Sequence, residues 1–320
     1  MQLILAPMEG VIDAVMRDLL TRIGGYNRCV TEFVRVSQTV LPKRVFYRLA
    51  PELLGDGKTA AGIPVYVQLL GSDPALMADN AAVAARLGAP GIDLNFGCPA
   101  KTVNKSSGGA ILLRQPQRIA AICTAVRATV PASIPVTAKI RLGYADDDGF
   151  EDVVDAVADS GVSEITIHAR TREQGYRPPA YWDRIADAVN RSSIPVIANG
   201  ELWSPADVDR CAAVTGCDRF MLARGALCRP DLGLAIRARI EALDYPVLQW
   251  TDIEALLLEF LTTNAHRYSE RHAVNPVKQW LMYLKHHYPQ AAALFERVKR
   301  IKDPAEMDAS LRAPVLAGVA

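Results

Sequence analysis

The chain has 320 residues, half of them apolar, with 36 basic against 35 acidic side chains. This balance excludes a disordered chain and leaves enough apolar material for one large domain or two of ordinary size. The opening run "MQLILAPMEGVIDAVMRDLL" has no basic leader and its apolar stretch stops at Pro7, so neither a signal peptide nor a membrane span is expected, and the expected compartment is the cytoplasm. Six cysteines (29, 98, 123, 211, 217 and 228) form no C-x-x-C pair, which argues against a zinc site or a disulfide framework; all but Cys98 sit in stretches that read as buried fillers.

In chain order, eight short β-rich runs are legible: "LILAPM" (3–8), "CVTEFV" (29–34), "PVYVQLLG" (64–71), "GIDLNFGCP" (91–99), "PVTAKIRLG" (135–143), "EITIHAR" (164–170), "PVIANGEL" (195–202) and "RFMLARGAL" (219–227). Most do not alternate, as strands buried on both faces should not. Helical spacing separates them, as in "PALMADNAAVAARLG" from 74 and "PQRIAAICTAVRATV" from 116, with Pro74, Pro116 and Pro205 at helix starts, where a missing N–H costs nothing. Eight strand–helix units over about 240 residues predict an α/β fold of the closed (β/α)8 TIM-barrel type rather than a doubly wound sheet. After about residue 245 three or four helices are predicted, giving domains 1–244 (barrel) and 245–320 (all-helical).

Residues 266–302 of the helical part hold eight Lys or Arg against two acids, a formal +6, interleaved with Tyr268, Trp280, Tyr283, Tyr288 and Phe295. A charge run alone is usually a solvated helix face. Cations mixed with rings are also the composition of a nucleic-acid surface.

A TIM barrel carries its chemistry at the C-terminal ends of its strands. Those ends hold Pro7-Met8-Glu9, Gln68, Asn95 and Cys98, Lys139 and Arg141, His168 and Arg170, Asn199-Gly200-Glu201, and Arg224-Gly225. Amides and cations without a carboxylate cluster or a metal-ligand set suit an anionic organic cofactor better than a metal. Glycines and an arginine after the last two strands are where such barrels hold a phosphate. Cys98 in "DLNFGCPAKTVNKSSGGAILL" admits three fates: packed thiol, nucleophile or proton donor. A nucleophile needs a base beside it, and the local sequence offers Asn95, Lys101 and Lys105 but no histidine. An unperturbed thiol, with a pKa of about 8.5, is mostly protonated at neutral pH.

The segments "LAPMEGVID", "VQLLG", "DLNFGCPAKTVNKSSGGAILL", "AKIRLG", "HARTREQGY", "IANGEL" and "ARGAL", in this order, resemble the tRNA-dihydrouridine synthases. "PMEGVIDAVMRDLLT", "TEFVRV" and "VKQWLMYL" are most similar to the bacterial C-type branch, which acts on position 16 of the tRNA D-loop. The resemblance implies FMN as cofactor, NADPH as reductant and tRNA as partner. It implies that Pro7, Met8 and Glu9 lie along the flavin ring, that Gln68 and Lys139 bond its polar edge, and that His168, Asn199, Gly200, Glu201, Ala223, Arg224 and Gly225 grip its ribityl and phosphate. Ala223 departs from the family's usual glycine. Cys98 is implied as the general acid at uracil C5 and Asn95 as a partner of the uracil edge. Arg35, Arg170, Tyr176, Lys278, Gln279, Tyr283 and Lys299 are the expected tRNA contacts. "KTVNKSSGG" reads as a mobile loop that could carry the acid to its target. No metal is expected, and a monomer suffices for a tRNA-sized partner. Two other readings remain open: an FMN barrel acting on a free small molecule, and a tRNA-binding or remodelling protein without chemistry.

Overall fold

The structure is a computed structural model that describes residues 1–104, 108–268 and 270–314. Nine parallel strands form the sheet: β1 (Gln2–Leu5), β2 (Arg28–Val30), β3 (Val34–Arg35), β4 (Val65–Leu70), β5 (Ile92–Asn95), β6 (Val136–Arg141), β7 (Glu164–His168), β8 (Val196–Asn199) and β9 (Arg219–Leu222). β1 pairs with both β2 and β9, and β2 also pairs with β4, so the sheet closes on itself. The barrel has eight positions, because β2 and β3 lie along the same neighbour, β4, and together replace the single expected strand 29–34. Between them the chain leaves strand geometry while Thr31 Oγ1 accepts from the Gln68 N–H at 3.0 Å.

Both faces of the strands are buried, as expected, but with different chemistry. Outward residues such as Val67, Leu94, Ile140 and Ile167 pack under the helices in the main core. Inward residues Ile4, Val30, Tyr66, Ile197 and Met221, among others, form a separate apolar cluster inside the barrel. Other inward positions are polar: Gln68, Asp93, Asn95, Thr137 and Thr166 are buried polar groups. The strands therefore do alternate, in polarity rather than in burial.

Helices Pro74–Arg86, Pro116–Thr129 and Pro205–Thr215 begin at the expected prolines. Asp73 and Ser204 cap the first and last of these by accepting the N–H of residues 76 and 207. The C-terminal region contains helices Trp250–Arg267, Asn275–Leu284, Pro289–Val298 and Pro304–Arg312 and a single turn, Glu270–Ala273. "PVKQWLMYLKHHYPQAAALFERVKRI" thus breaks in two at Pro289, which starts its helix at the position where proline is tolerated. Trp280, 1% exposed, packs edge-on against Phe260 at 5.2 Å and donates its Nε1–H to the Leu227 carbonyl at 3.0 Å. Leu257, Phe260, Trp280 and Leu284 belong to the same apolar cluster as the barrel's outer core, so the helical region is continuous with the barrel. Trp280→Ala empties that seam. It should lower unfolding free energy by about 3 kcal/mol or more in urea titrations, and an unchanged midpoint would contradict the shared core.

Candidate active site

A cavity of about 740 Å³ opens at the C-terminal ends of the strands. Its walls bring together Pro7, Met8 and Glu9 after β1, Gln68 from β4, Asn95 and Cys98 from the β5 end, Lys139 from β6 and His168 from β7. Asn199, Gly200 and Glu201 follow β8, Ala223, Arg224 and Gly225 follow β9, Tyr176 comes from the loop after β7, and Tyr283 from the helical region.

Cys98 is partly buried and the other five cysteines are buried. Its turn is built by Asn95, whose Oδ1 accepts the N–H groups of Gly97 and Cys98 at 3.0 and 2.9 Å. The Cys98 carbonyl is held in turn by Ala110 N–H at 3.1 Å and by Asn104 Nδ2 at 3.0 Å. Burial pushes the thiol above its ordinary pKa, and the Glu9 charge adds to this, against a hydrogen bond from Ala100 and the charges of Arg141 and Arg35. A thiol held above its ordinary pKa is in keeping with a proton donor rather than an activated nucleophile. Of "KTVNKSSGG", Lys101–Asn104 is a helical turn tied down by Asn104, whose Oδ1 also accepts Ile111 N–H at 2.7 Å; Lys105, Ser106 and Ser107 lie outside the described residues.

Cations dominate the opposite wall. Lys139 Nζ donates to Asn199 Oδ1 at 3.2 Å, and Asn199 Nδ2 donates to the Met221 carbonyl at 2.8 Å. Burial first, then the charge of Arg141, lowers the Lys139 ammonium to about 7 despite Asp93. His168 is pushed well below its ordinary value by burial and by the charges of Arg141, Lys139, Arg170 and Arg224, so its imidazole is neutral at neutral pH. Its Nε2 faces Arg170 Nη1 at 3.4 Å; since guanidinium only donates, Nε2 takes the acceptor role and Nδ1 carries the proton. Arg141 Nε donates to the Gly97 carbonyl at 2.8 Å and Nη1 to those of Thr171 and Gly175, which joins the Cys98 turn to the Tyr176 loop. The Tyr176 ring, 54% exposed, has the guanidinium groups of Arg141 and Arg224 at 5.2 and 5.3 Å from its centroid.

Three expected tRNA contacts are placed differently. Arg170 is 0% exposed and does not line the cavity: it pairs with Glu201 at 2.7 Å and donates to the carbonyls of Arg177 and Pro179. It is an internal brace for the Tyr176 loop, because a guanidinium at a strand end turned inward finds a carboxylate before it finds solvent. Lys278 Nζ is bound to the Ile301 carbonyl, and Lys299 is paired with Glu296, so part of the expected +6 surface is spent inside the helical region. Among the described residues, Lys285, Arg300 and Lys302 have no ion-pair partner, whereas the side chains of Glu270 and Arg271 lie outside the described residues. Gln279 lines a separate open pocket with Tyr268 and His272, and Arg35 is exposed near Cys98, donating to the Thr102 carbonyl at 3.3 Å.

Glu32, Phe33, Arg172 and Trp203 also line the cavity and were not expected there. Glu32 sits in the break between β2 and β3 and accepts the Gly10 N–H at 2.5 Å. Only the interruption of the second strand brings it to the rim, which the pattern "CVTEFV" does not reveal. Glu201 Oε1 accepts from Arg170 and from Arg224 at 3.1 Å and Oε2 accepts from Trp203 Nε1 at 3.0 Å, so this carboxylate is consumed and leaves the wall net basic. No group of His, Cys, Asp and Glu among the described residues is arranged to hold a metal.

The model of the dihydrouridine synthase (Dus) family matches residues 4–318. This chain belongs to that family. As a family member it is 50% identical over 307 residues to a tRNA-dihydrouridine(16) synthase of Pseudomonas putida, covering 96% of this chain and 95% of the relative. It is 48% identical over 302 residues to one of Vibrio cholerae, covering 94% and 92%. A solved structure of a variant of NCR from Zymomonas mobilis has the same fold, with a TM-score of 0.53 at 15% identity over 78% of this chain and 88% of that one.

Within this dihydrouridine synthase-family site, Cys98 is the one cysteine of six not fully buried. Iodoacetamide should therefore modify one thiol quickly in the native protein, and Cys98→Ala should abolish that phase. Because the thiolate reacts and the thiol pKa is raised, the rate at pH 8 should fall below that of free cysteine and keep rising beyond about pH 9. Fast labelling of several thiols, or a rate that levels off below pH 8, would contradict the geometry.

Proposed function

We propose that this protein reduces uridine to 5,6-dihydrouridine in tRNA, at position 16 of the D-loop, with FMN as its cofactor and NADPH as reductant, and that it acts as a cytoplasmic monomer. The observation that carries the reading is a protonated thiol, Cys98, at a cavity whose far wall holds Lys139, Arg141 and a neutral His168.

The donor set fits FMN. Gln68, Lys139 and Asn199 offer amide and ammonium groups to a carbonyl-rich ring edge, while His168 and Arg224 offer donors to ribityl oxygens and phosphate. The turn Arg224–Cys228 begins at the cavity, where first-turn amides lack intrahelical acceptors and suit an anion. Gly225 is required there, since an added Cβ would lie 2.2 Å from the Leu202 carbonyl oxygen. The alanine at 223 has φ −124°, outside the left-handed region that favours glycine. When bound and reduced by NADPH, the flavin would supply the hydride that adds to uracil C6.

As that bond forms, negative charge builds at C5 and at the C4 carbonyl. Cys98 Sγ–H supplies the proton to C5, and the resulting thiolate regains a proton from solvent through the open mouth of the cavity. The cations of the wall favour the developing negative charge. Tyr176, 54% exposed and braced by two guanidinium groups, offers a flat face to an unstacked base. Lys285, Arg300 and Lys302 on the helical region supply charge for the phosphate backbone. Tyr283 reaching the cavity from that region favours tRNA over a free small molecule, because it makes the helical part a wall of the same site.

The test is dihydrouridine mapping in tRNA from cells lacking the gene, complemented with wild type or Cys98→Ala. Wild type should restore the modification at position 16. Cys98→Ala should bind flavin and tRNA normally while losing about a hundredfold or more in dihydrouridine formation. A colourless wild-type protein that takes up no FMN, or full turnover by Cys98→Ala, would overturn the reading.

A further inference from the structure

Asp93 takes no part in the chemistry above, yet it is a carboxylate at 1% exposure in the middle of the barrel. The parallel register makes it the direct partner of Gln68 on one side and of Thr137 on the other, so the three side chains share one layer. Asp93 Oδ2 accepts from Gln68 Nε2 at 2.7 Å, and Oδ1 accepts from Thr137 Oγ1 at 2.6 Å. One layer higher, Asn95 Nδ2 donates to Gln68 Oε1 at 2.7 Å while its Oδ1 takes the N–H groups of Gly97 and Cys98.

A primary amide is nearly symmetric in shape and can turn over; a carboxylate presents only acceptors. With Asp93 as acceptor, Gln68 must point Nε2 at it and Oε1 at Asn95. Asn95 must then point Nδ2 at Gln68 and its oxygen at the amides of the Cys98 turn. Turning over Gln68 alone would set two buried N–H groups against each other, and turning over Asn95 as well would strip the turn of its acceptor, each at the cost of unmade buried hydrogen bonds. Burial raises the Asp93 carboxyl above its ordinary pKa, and the hydrogen bonds from Gln68 and Thr137, then the charges of Lys139 and Arg28, act in the other direction to favour the carboxylate.

We propose that Asp93 is a positioning residue for Cys98: its carboxylate fixes the sense of the Gln68–Asn95 amide pair and, through it, the turn that presents the thiol to the cavity. The proposal rests on the uridine-reductase reading for its effect on turnover, but its effect on the thiol can be read without any turnover. Asp93 acts through Asn95, so the two residues should not contribute independently.

The experiment is a double-mutant cycle on the purified holoenzyme with Asp93→Leu, Asn95→Ala and the pair. Two quantities are read: the rate of Cys98 alkylation by iodoacetamide, and single-turnover dihydrouridine formation at saturating tRNA. Asp93→Leu should speed alkylation several-fold by freeing the turn and slow turnover about tenfold or more, with KM for tRNA unchanged. The pair should be no worse than Asn95→Ala alone. Asp93→Asn should fall between wild type and Asp93→Leu, since its amide can offer either end to Gln68; it replaces Leu in the cycle if the Leu variant loses its native circular dichroism. Additive effects, or Asp93 variants with wild-type alkylation and turnover, would overturn the proposal. A wild type that forms no dihydrouridine would instead sink the proposed function, with the alkylation cycle still deciding the role of Asp93.

Discussion

Closing a parallel sheet into a barrel removes the freedom to choose neighbours: once the register is set, alternate side chains point inward and residues paired across strands occupy a common layer. In this chain that constraint stacks Gln68, Asp93 and Thr137 in one layer, Asn95 beside Lys139 in the next, and Arg141, His168 and Asn199 in the topmost. Because all the strands run the same way, every layer rises toward the same rim. The apolar cluster of Ile4, Val30, Tyr66 and Met221 shares the barrel interior with them. Functional groups from the ends of seven strands thus meet at one cavity although the strands are far apart in sequence.

The electrostatics of the site follow from that stacking. Lys139, Arg141 and His168 are forced into one another's neighbourhood away from bulk water, which lowers the proton affinity of the lysine and the histidine alike. Such an arrangement costs stability and suits an anionic, carbonyl-rich occupant. The Arg170–Glu201–Arg224 network runs from behind the cavity wall into it, tying the segment after β8 to that after β9 and to the loop that carries Tyr176. Across the cavity the groups differ in kind: the thiol of Cys98 keeps its proton, and the Glu9 and Glu32 carboxyls are raised by burial and by repulsion from neighbouring acids. A wall whose acids are harder to ionise thus faces a wall that attracts anions.

Much of this was legible from the residues. The barrel strands could be read because buried parallel strands leave apolar β-branched runs, and strand-end residues such as Gln68, Lys139 and His168 could be located because a barrel exposes its strand ends at one face. The break after Val30 could not be read, since "CVTEFV" has the composition of an unbroken strand; with it Glu32 and Phe33 were missed. Asp93 was hidden in a run read as uniformly buried, where only the register shows that a carboxylate meets an amide and a hydroxyl. Arg170, Lys278 and Lys299 read as free cations because composition does not show the carboxylate or carbonyl that the fold brings to each. Resemblance supplied the expectation of a flavin cofactor and of the target base, which spacing and composition leave open.

The account turns on the thiol of Cys98 being presented to the reacting carbon by a turn that the barrel interior holds in place. The most direct measurement is an experimental structure of the flavin-loaded protein bound to tRNA, read for the atom nearest uracil C5. The account predicts Cys98 Sγ in van der Waals contact with C5, with Asn95 still accepting the Gly97 and Cys98 amides and still donating to Gln68. Another protic group at C5, with Cys98 turned away from the base, would contradict it.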